Sequence, residues 1–245
     1  MLQQAWRSVC DLADGLLQLA YPPICWTCQT LQPQLRQGVC PKCRERLTAD
    51  PLPACPRCSS TVGPFAILEG GCGQCRSESF AFDQALRLGP YDPTWREVIL
   101  RMKHGWSLAE VVGRLWAQQL APRLGPLRPQ AVVAVPLHWR RRWQRGFNQS
   151  EVLAQALARE LRARSAPYLL RRIRATAQQS ALTPGQRRAN VHGAFLARTD
   201  PSLAGQTIVL VDDVLTTGAT AHEAARALRV LKPARIVVAV VAHGR

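Results

Sequence analysis

The sequence predicts an α/β fold, a parallel sheet with helices on both faces, preceded by a small region organised around cysteine. Three observations carry this expectation. Short apolar runs alternate with helical stripes over the last two thirds of the chain. Eight of the nine cysteines form four Cys-x-x-Cys pairs between Cys25 and Cys75. After Phe80 the composition changes and cysteine is absent.

The elements follow in order. Leu2, Trp6, Val9, Ala13, Leu16, Leu17 and Ala20 repeat at helical spacing, so residues 1–21 read as an amphipathic helix with Cys10 as a buried apolar residue. Arg7, Asp11 and Asp14 interrupt the apolar stretch and argue against a signal peptide. No run of eighteen uncharged apolar residues occurs, which predicts no membrane insertion and a cytoplasmic chain. Residues 22–80 form the cysteine region and residues 81–245 the α/β domain. In that domain, strands are expected at Ala85–Leu88, Ala131–Val135, Tyr168–Ile173, Ile208–Val211 and Ile236–Val241. Helices are expected over 93–104, 107–124 and 148–163, and after Thr220.

The cysteine pairs are Cys25/Cys28, Cys40/Cys43, Cys55/Cys58 and Cys72/Cys75, separated by eleven, eleven and thirteen residues. Two pairs supply four thiolates to a tetrahedral zinc, so four pairs fit two closed structural sites. Disulfides suit a cytoplasmic chain poorly. The loops between knuckles are short and polar, so metal binding supplies much of their folding free energy. Sequential pairing makes two zinc ribbons in tandem and interleaved pairing a cross-brace. Short closable loops favour the sequential order.

At 245 residues and 47% hydrophobic content the chain can build a core. Its formal charge is +16 and unevenly placed: residues 121–190 hold fourteen Arg against two Glu. That excess points to a phosphate-rich or polyanionic ligand. Arg140, Arg141, Arg142 and Arg145 follow the Val135 strand, interleaved with Trp139, Trp143 and Phe147. They read as a diphosphate cradle, a single-stranded nucleic acid surface or a solvated basic loop. Residues 171–195 read as an active-site flap carrying Arg187 and Arg188, or as a surface hairpin.

The most informative stretch is Val209 to Thr220, an apolar strand ending on Asp212 and Asp213 and followed by Thr216, Thr217, Gly218, Ala219 and Thr220. Two carboxylates at a strand end can accept hydrogen bonds from ribose hydroxyls. A Thr/Gly loop at a helix start can cradle a phosphate. The segment resembles the PRPP-binding motif of type I phosphoribosyltransferases, with Ala219 where that family often has a second glycine.

Together with Arg145-Gly-Phe-Asn-Gln149, the Arg172/Gln179/Leu182/Arg187/Asn190/Phe195 spacing and the knuckles, the chain resembles the ComF (competence protein F) family over nearly its whole length. The resemblance implies a type I phosphoribosyltransferase-like sheet and a role in natural transformation, the handling of imported single-stranded DNA. It also implies DNA-uptake helicase or recombination proteins as partners. Two functions from different classes are expected. One is a magnesium-dependent phosphoribosyltransferase: Asp212 and Asp213 grip the ribose, residues 216–220 hold the 5-phosphate, and Arg142 or Arg145 stabilises departing pyrophosphate, with Arg187 over the ligand. The other is a nucleotide-sensing, single-stranded DNA-binding module without turnover.

Overall fold

The computed structural model describes residues 23–32, 38–50, 52–176 and 183–244. The amphipathic helix expected over 1–21 lies outside the described residues, as do Cys10, Gln179 and Leu182. Packing divides the chain into two compact units, Met1–Arg46 and Leu47–Arg245.

In the first unit, Ile24 and Leu31 form an antiparallel bridge around the Cys25–Cys28 knuckle. Gln29 takes a left-handed conformation there, φ 60°. Helix α1 (Pro41–Thr48) begins directly after Cys40 and carries Cys43 in its first turn. The same knuckle recurs in the second unit, with a bridge from Ala54 to Thr61 and Ser59 at φ 64°.

The second unit is built on five parallel strands. They are β1 (Gln84–Pro90), β2 (Ala131–Ala134), β3 (Arg164–Ser165), β6 (Thr207–Leu215) and β7 (Arg235–His243), in the spatial order β1-β7-β6-β2-β3. The central strands are buried along nearly their whole length, because helices cover both faces. Those helices are α2 (Pro93–Met102), α3 (Trp106–Leu124), α4 (Trp139–Arg145), α5 (Gln149–Leu161), α6 (Pro184–Val191) and α7 (Ala219–Leu228). Trp116 on α3 donates its indole N–H to the Val240 carbonyl at 2.8 Å, fixing that layer to the sheet.

The segment expected as a further strand near Tyr168 contributes instead to a separate antiparallel pair, β4 (Leu170–Arg172) with β5 (Phe195–Ala197). The basic stretch after Val135 is helical as α4, and the flap segment contains α6. Helix α6 starts with a capping box: Thr183 accepts from the Gln186 N–H at 3.4 Å, and Gln186 accepts from the Thr183 N–H at 2.9 Å.

Arg87 on β1 joins the second knuckle to the sheet. It is fully buried, forks onto both Asp50 oxygens at 3.0 and 3.2 Å, and donates to Thr61 and to the Ser59 and Leu52 carbonyls. Among the described residues no helix is long and apolar enough to cross a membrane.

Candidate functional site

The register of the sheet builds the site. β6 does not end at Asp212. It continues beside β7 to Leu215, pairing Asp212 with Val240 and Leu215 with His243. On its other flank β2 has already stopped, its last pair being Ala134 with Val211. The two acids therefore sit where one side of the strand has lost its neighbour.

The start of α5 fills that gap. Asn148 caps the helix and donates its side-chain amide to the Val135 carbonyl at 3.1 Å. This anchors the next two residues against the acids. Gln149 donates to Asp213 Oδ2 at 3.1 Å, and Ser150 donates to Asp212 Oδ1 at 3.1 Å. Each acid also accepts the N–H of the residue that follows it, at 2.9 Å. Lys103, in the turn between α2 and α3, lies 3.5 Å from Asp213 Oδ2. Burial, and then the neighbouring Asp213 carboxylate, pushes the Asp212 carboxyl up to about 8.

Beyond Leu215 the chain turns through Thr216 and Thr217 into α7. Gly218 is the N-cap at φ 75°, a left-handed conformation that favours glycine. The Thr217 hydroxyl accepts from the Ala219 N–H at 3.4 Å, and Arg187 of α6 donates to the Thr216 hydroxyl at 3.3 Å. A cleft of ≈ 340 Å³ opens over these groups, bounded by Tyr91, Lys103, Arg187, the acid pair and the 214–221 turn. It has carboxylates at one end, helix N–H groups and hydroxyls at the other, and cations on its walls. That is the chemistry of a site for a polyol phosphate.

The loop is backed by Phe80. A Cβ placed on Gly218 would meet its ring at 3.0 Å. Phe80 stacks on Phe82 at 4.6 Å between centroids and packs on the second cysteine cluster. The Arg57 guanidinium lies 5.7 Å from the Phe80 ring centroid and donates to the Cys75 carbonyl at 2.6 Å. A second cavity of ≈ 490 Å³ shares Thr217, Gly218 and Ala219 with the cleft and is bounded by Phe80, Arg188, His192 and Glu223.

Of the residues expected at the site, the structure brings together Asp212, Asp213, Thr216, Thr217, Gly218, Ala219, Thr220 and Arg187. Arg142 is engaged with Glu151 in an ion pair. Arg145 donates to Gln149 Oε1 at 3.4 Å. Burial pulls the Arg145 guanidinium down from its ordinary value, while Asp213 raises it. Neither arginine lines the cleft, although both touch residues of α5 that neighbour the acids. The α4 tryptophans point outward, Trp139 at 64% and Trp143 at 84% exposure, and the Arg140 guanidinium lies 5.3 Å from the Trp139 ring centroid. Lys103 and Tyr91 carry no motif and were not among the expected site residues. The position of Lys103 in a short turn between two amphipathic helices is the only local signal they offered.

The cysteines group sequentially, Cys25, Cys28, Cys40 and Cys43 in one tetrad and Cys55, Cys58, Cys72 and Cys75 in the other, with the sulfurs of each within 4.8 Å of one another. The Sγ separations are 4.0 Å for Cys28–Cys40, 3.7 Å for Cys55–Cys75 and Cys58–Cys72, and 3.8 Å for Cys72–Cys75. Tetrahedral zinc at its usual sulfur distance requires about 3.8 Å between sulfurs. The first cysteine of each tetrad also accepts a backbone N–H at 3.3 Å, from Cys40 and Cys72 respectively. Both tetrads therefore fit zinc, which would act as a structural crosslink.

Comparison with known proteins agrees with this geometry. The phosphoribosyl transferase domain family matches residues 148–245. The chain is 33% identical over 215 residues to DNA utilization protein YhgH of Salmonella typhi, covering 86% of this chain and 92% of that protein. It is 31% identical to Competence protein F of Haemophilus influenzae, over 80% of this chain and 86% of that one. Competence protein ComFC of Bacillus subtilis is 27% identical, covering 78% of each.

Proposed function

The chain belongs to the family of DNA utilization protein YhgH and Competence protein F, and from that premise we propose that it binds PRPP or a related ribose phosphate and handles single-stranded DNA during natural competence. It is a competence-related protein of the phosphoribosyltransferase fold with two cysteine tetrads suited to zinc. The observation that carries the ligand reading is the cleft itself: an acid pair held by α5 at one end and a Thr/Gly helix start at the other.

In this reading Asp212 and Asp213 accept hydrogen bonds from the ribose hydroxyls. The Ala219 and Thr220 amides and the Thr216 and Thr217 hydroxyls take the 5-phosphate, with Arg187 above them. Charge neutralisation of the diphosphate would be supplied by magnesium bound together with the ligand. In a transferase, positive charge building at the anomeric carbon would be balanced by the acid pair. In a sensor the same contacts would report ligand without turnover. The test is calorimetry with PRPP and magnesium on the zinc-loaded chain and on its Asp212→Ala/Asp213→Ala variant. Binding present in the first and lost in the second supports the site, and no binding in the first removes it.

The DNA reading has its own observation, the exposed Trp139 and Trp143 on a helix with four arginines. Aromatic faces for stacking beside cations for the backbone suit a single strand. Changing Arg140, Arg141, Arg142 and Arg145 to alanine should weaken binding and flatten its salt dependence. Unchanged affinity would remove α4 from the interface.

A further inference from the structure

A ribose phosphate that carries a diphosphate at its anomeric carbon places that diphosphate beside the hydroxyls that the acid pair would grip. A cation is needed at that end of the cleft. Of the two arginines that sequence reasoning put there, Arg142 pairs with Glu151, and Arg145 bonds Gln149 and feels the Asp213 charge from outside the cleft lining. Among the described residues the cations that line the cleft are Arg187 and Lys103. Arg187 reaches Thr216, in the phosphate-loop half. Lys103 reaches Asp213, in the acid half. The cleft therefore has one cation toward each end.

Lys103 is also built to change partners. Its backbone is fixed as the C-cap of α2, its N–H bonded to the Leu100 and Arg101 carbonyls, while its ammonium rides on a four-carbon stem that is 26% exposed. The chain uses 29 arginines and only three lysines, so a compact ammonium stands here against the prevailing choice of base. It lies outside residues 148–245, the part that matches the transferase domain.

We propose that Lys103 binds the diphosphate of the ligand, leaving Asp213 for the phosphate oxygens as the ribose hydroxyls take its place on the carboxylate. This rests on the ribose-phosphate reading of the cleft and adds a selectivity to it: Lys103 distinguishes a diphosphate-bearing ligand from ribose 5-phosphate.

The experiment titrates PRPP and ribose 5-phosphate, each with magnesium, into the zinc-loaded full chain and its Lys103→Gln and Lys103→Arg variants. Glutamine should weaken PRPP about ten- to a hundredfold, leave ribose 5-phosphate unchanged, and arginine should restore most of the loss. An equal loss for both ligands would assign Lys103 to holding Asp213 and overturn the proposal, as would no loss at all. A parent chain that binds neither ligand removes the reading of the cleft itself, whereas a parent that binds PRPP beside an unaffected glutamine variant removes only Lys103. A measurement on the unaltered chain covers a variant that fails to fold. With three lysines to follow, acylation mapped by mass spectrometry should slow at Lys103 with PRPP or inorganic pyrophosphate and not with ribose 5-phosphate. Equal protection by all three, or by none, refutes the assignment.

Discussion

Asp212→Asn measures what it costs this protein to keep a carboxyl beside Asp213. Burial first, and the Asp213 charge second, raises the Asp212 carboxyl from 3.8 to about 8. The folded value lies above the unfolded one, so stability is full below about pH 4 and is lost as the pH climbs through 8. At pH 7 the unfolded chain carries an ionised Asp212 while the folded chain retains a proton. Each pH unit above the unfolded value costs about 1.4 kcal/mol, and some three units separate them, giving about 4 kcal/mol. Asparagine has the same shape, still accepts from Ser150 and from the Asp213 N–H, and has no proton to lose. Allowing about 1 kcal/mol for altered hydrogen bonds, the variant should gain about 2–4 kcal/mol at pH 7. Urea unfolding without ligand at pH 5, 7 and 9 reads this directly. The gain should be small at pH 5, large at pH 7 and level above pH 8. A gain that is the same at all three values, or a loss at pH 9, would refute the argument. The variant should at the same time lose ribose-phosphate affinity, so that the site is stabilised as its function is removed.

Three further outcomes follow from the packing. Arg87→Met leaves Asp50 and two carbonyls without their donor, and should destabilise the chain by about 3–5 kcal/mol in urea unfolding; a loss under 1 kcal/mol would show that water replaces the arginine. Gly218→Ala forces a left-handed φ on a residue with a Cβ and presses it against Phe80, costing about 1–2 kcal/mol and weakening phosphate binding in calorimetry, with Phe80→Leu relieving part of the loss. Elemental analysis should find two zinc ions per chain, and Cys55→Ser/Cys58→Ser should leave one; a single ion in the unaltered chain would break the two-site assignment.

Much of this molecule is legible in its sequence. The apolar runs at Ala131, Ile208 and Ile236 declare buried parallel strands because no solvent-facing residue interrupts them. The Asp212–Thr220 pattern marks the strand end and helix start that bound the cleft, and the short loops favour, without deciding, the sequential cysteine grouping that the structure has. What escaped did so for physical reasons. Helix α4 is only seven residues long and buries none of them, and its one apolar pair, Trp139 and Trp143, spans a single turn, too little to distinguish a helix from a basic loop. Helix α6 did leave a sign, the Thr183-Pro-Gly-Gln186 capping box, in a stretch otherwise too polar to read as a helix. The true end of β6 depends on where β2 and β7 stop, which is information held by three strands at once. Lys103 meets Asp213 across 110 residues of chain, and no local pattern encodes such a meeting.

The contact between Phe80 and Gly218 alters how the chain can be divided. The sequence offers a cut near residue 80, separating a metal module from a nucleotide module. Such a cut would take away the wall against which the Thr216–Thr220 turn rests, together with Arg57, which braces that wall from behind. A fragment starting at residue 81 would keep every side chain of the ligand motif and lack its backing. The second tetrad behaves as a keystone: the Gly218 turn leans on Phe80, and Phe80 leans on the four cysteines.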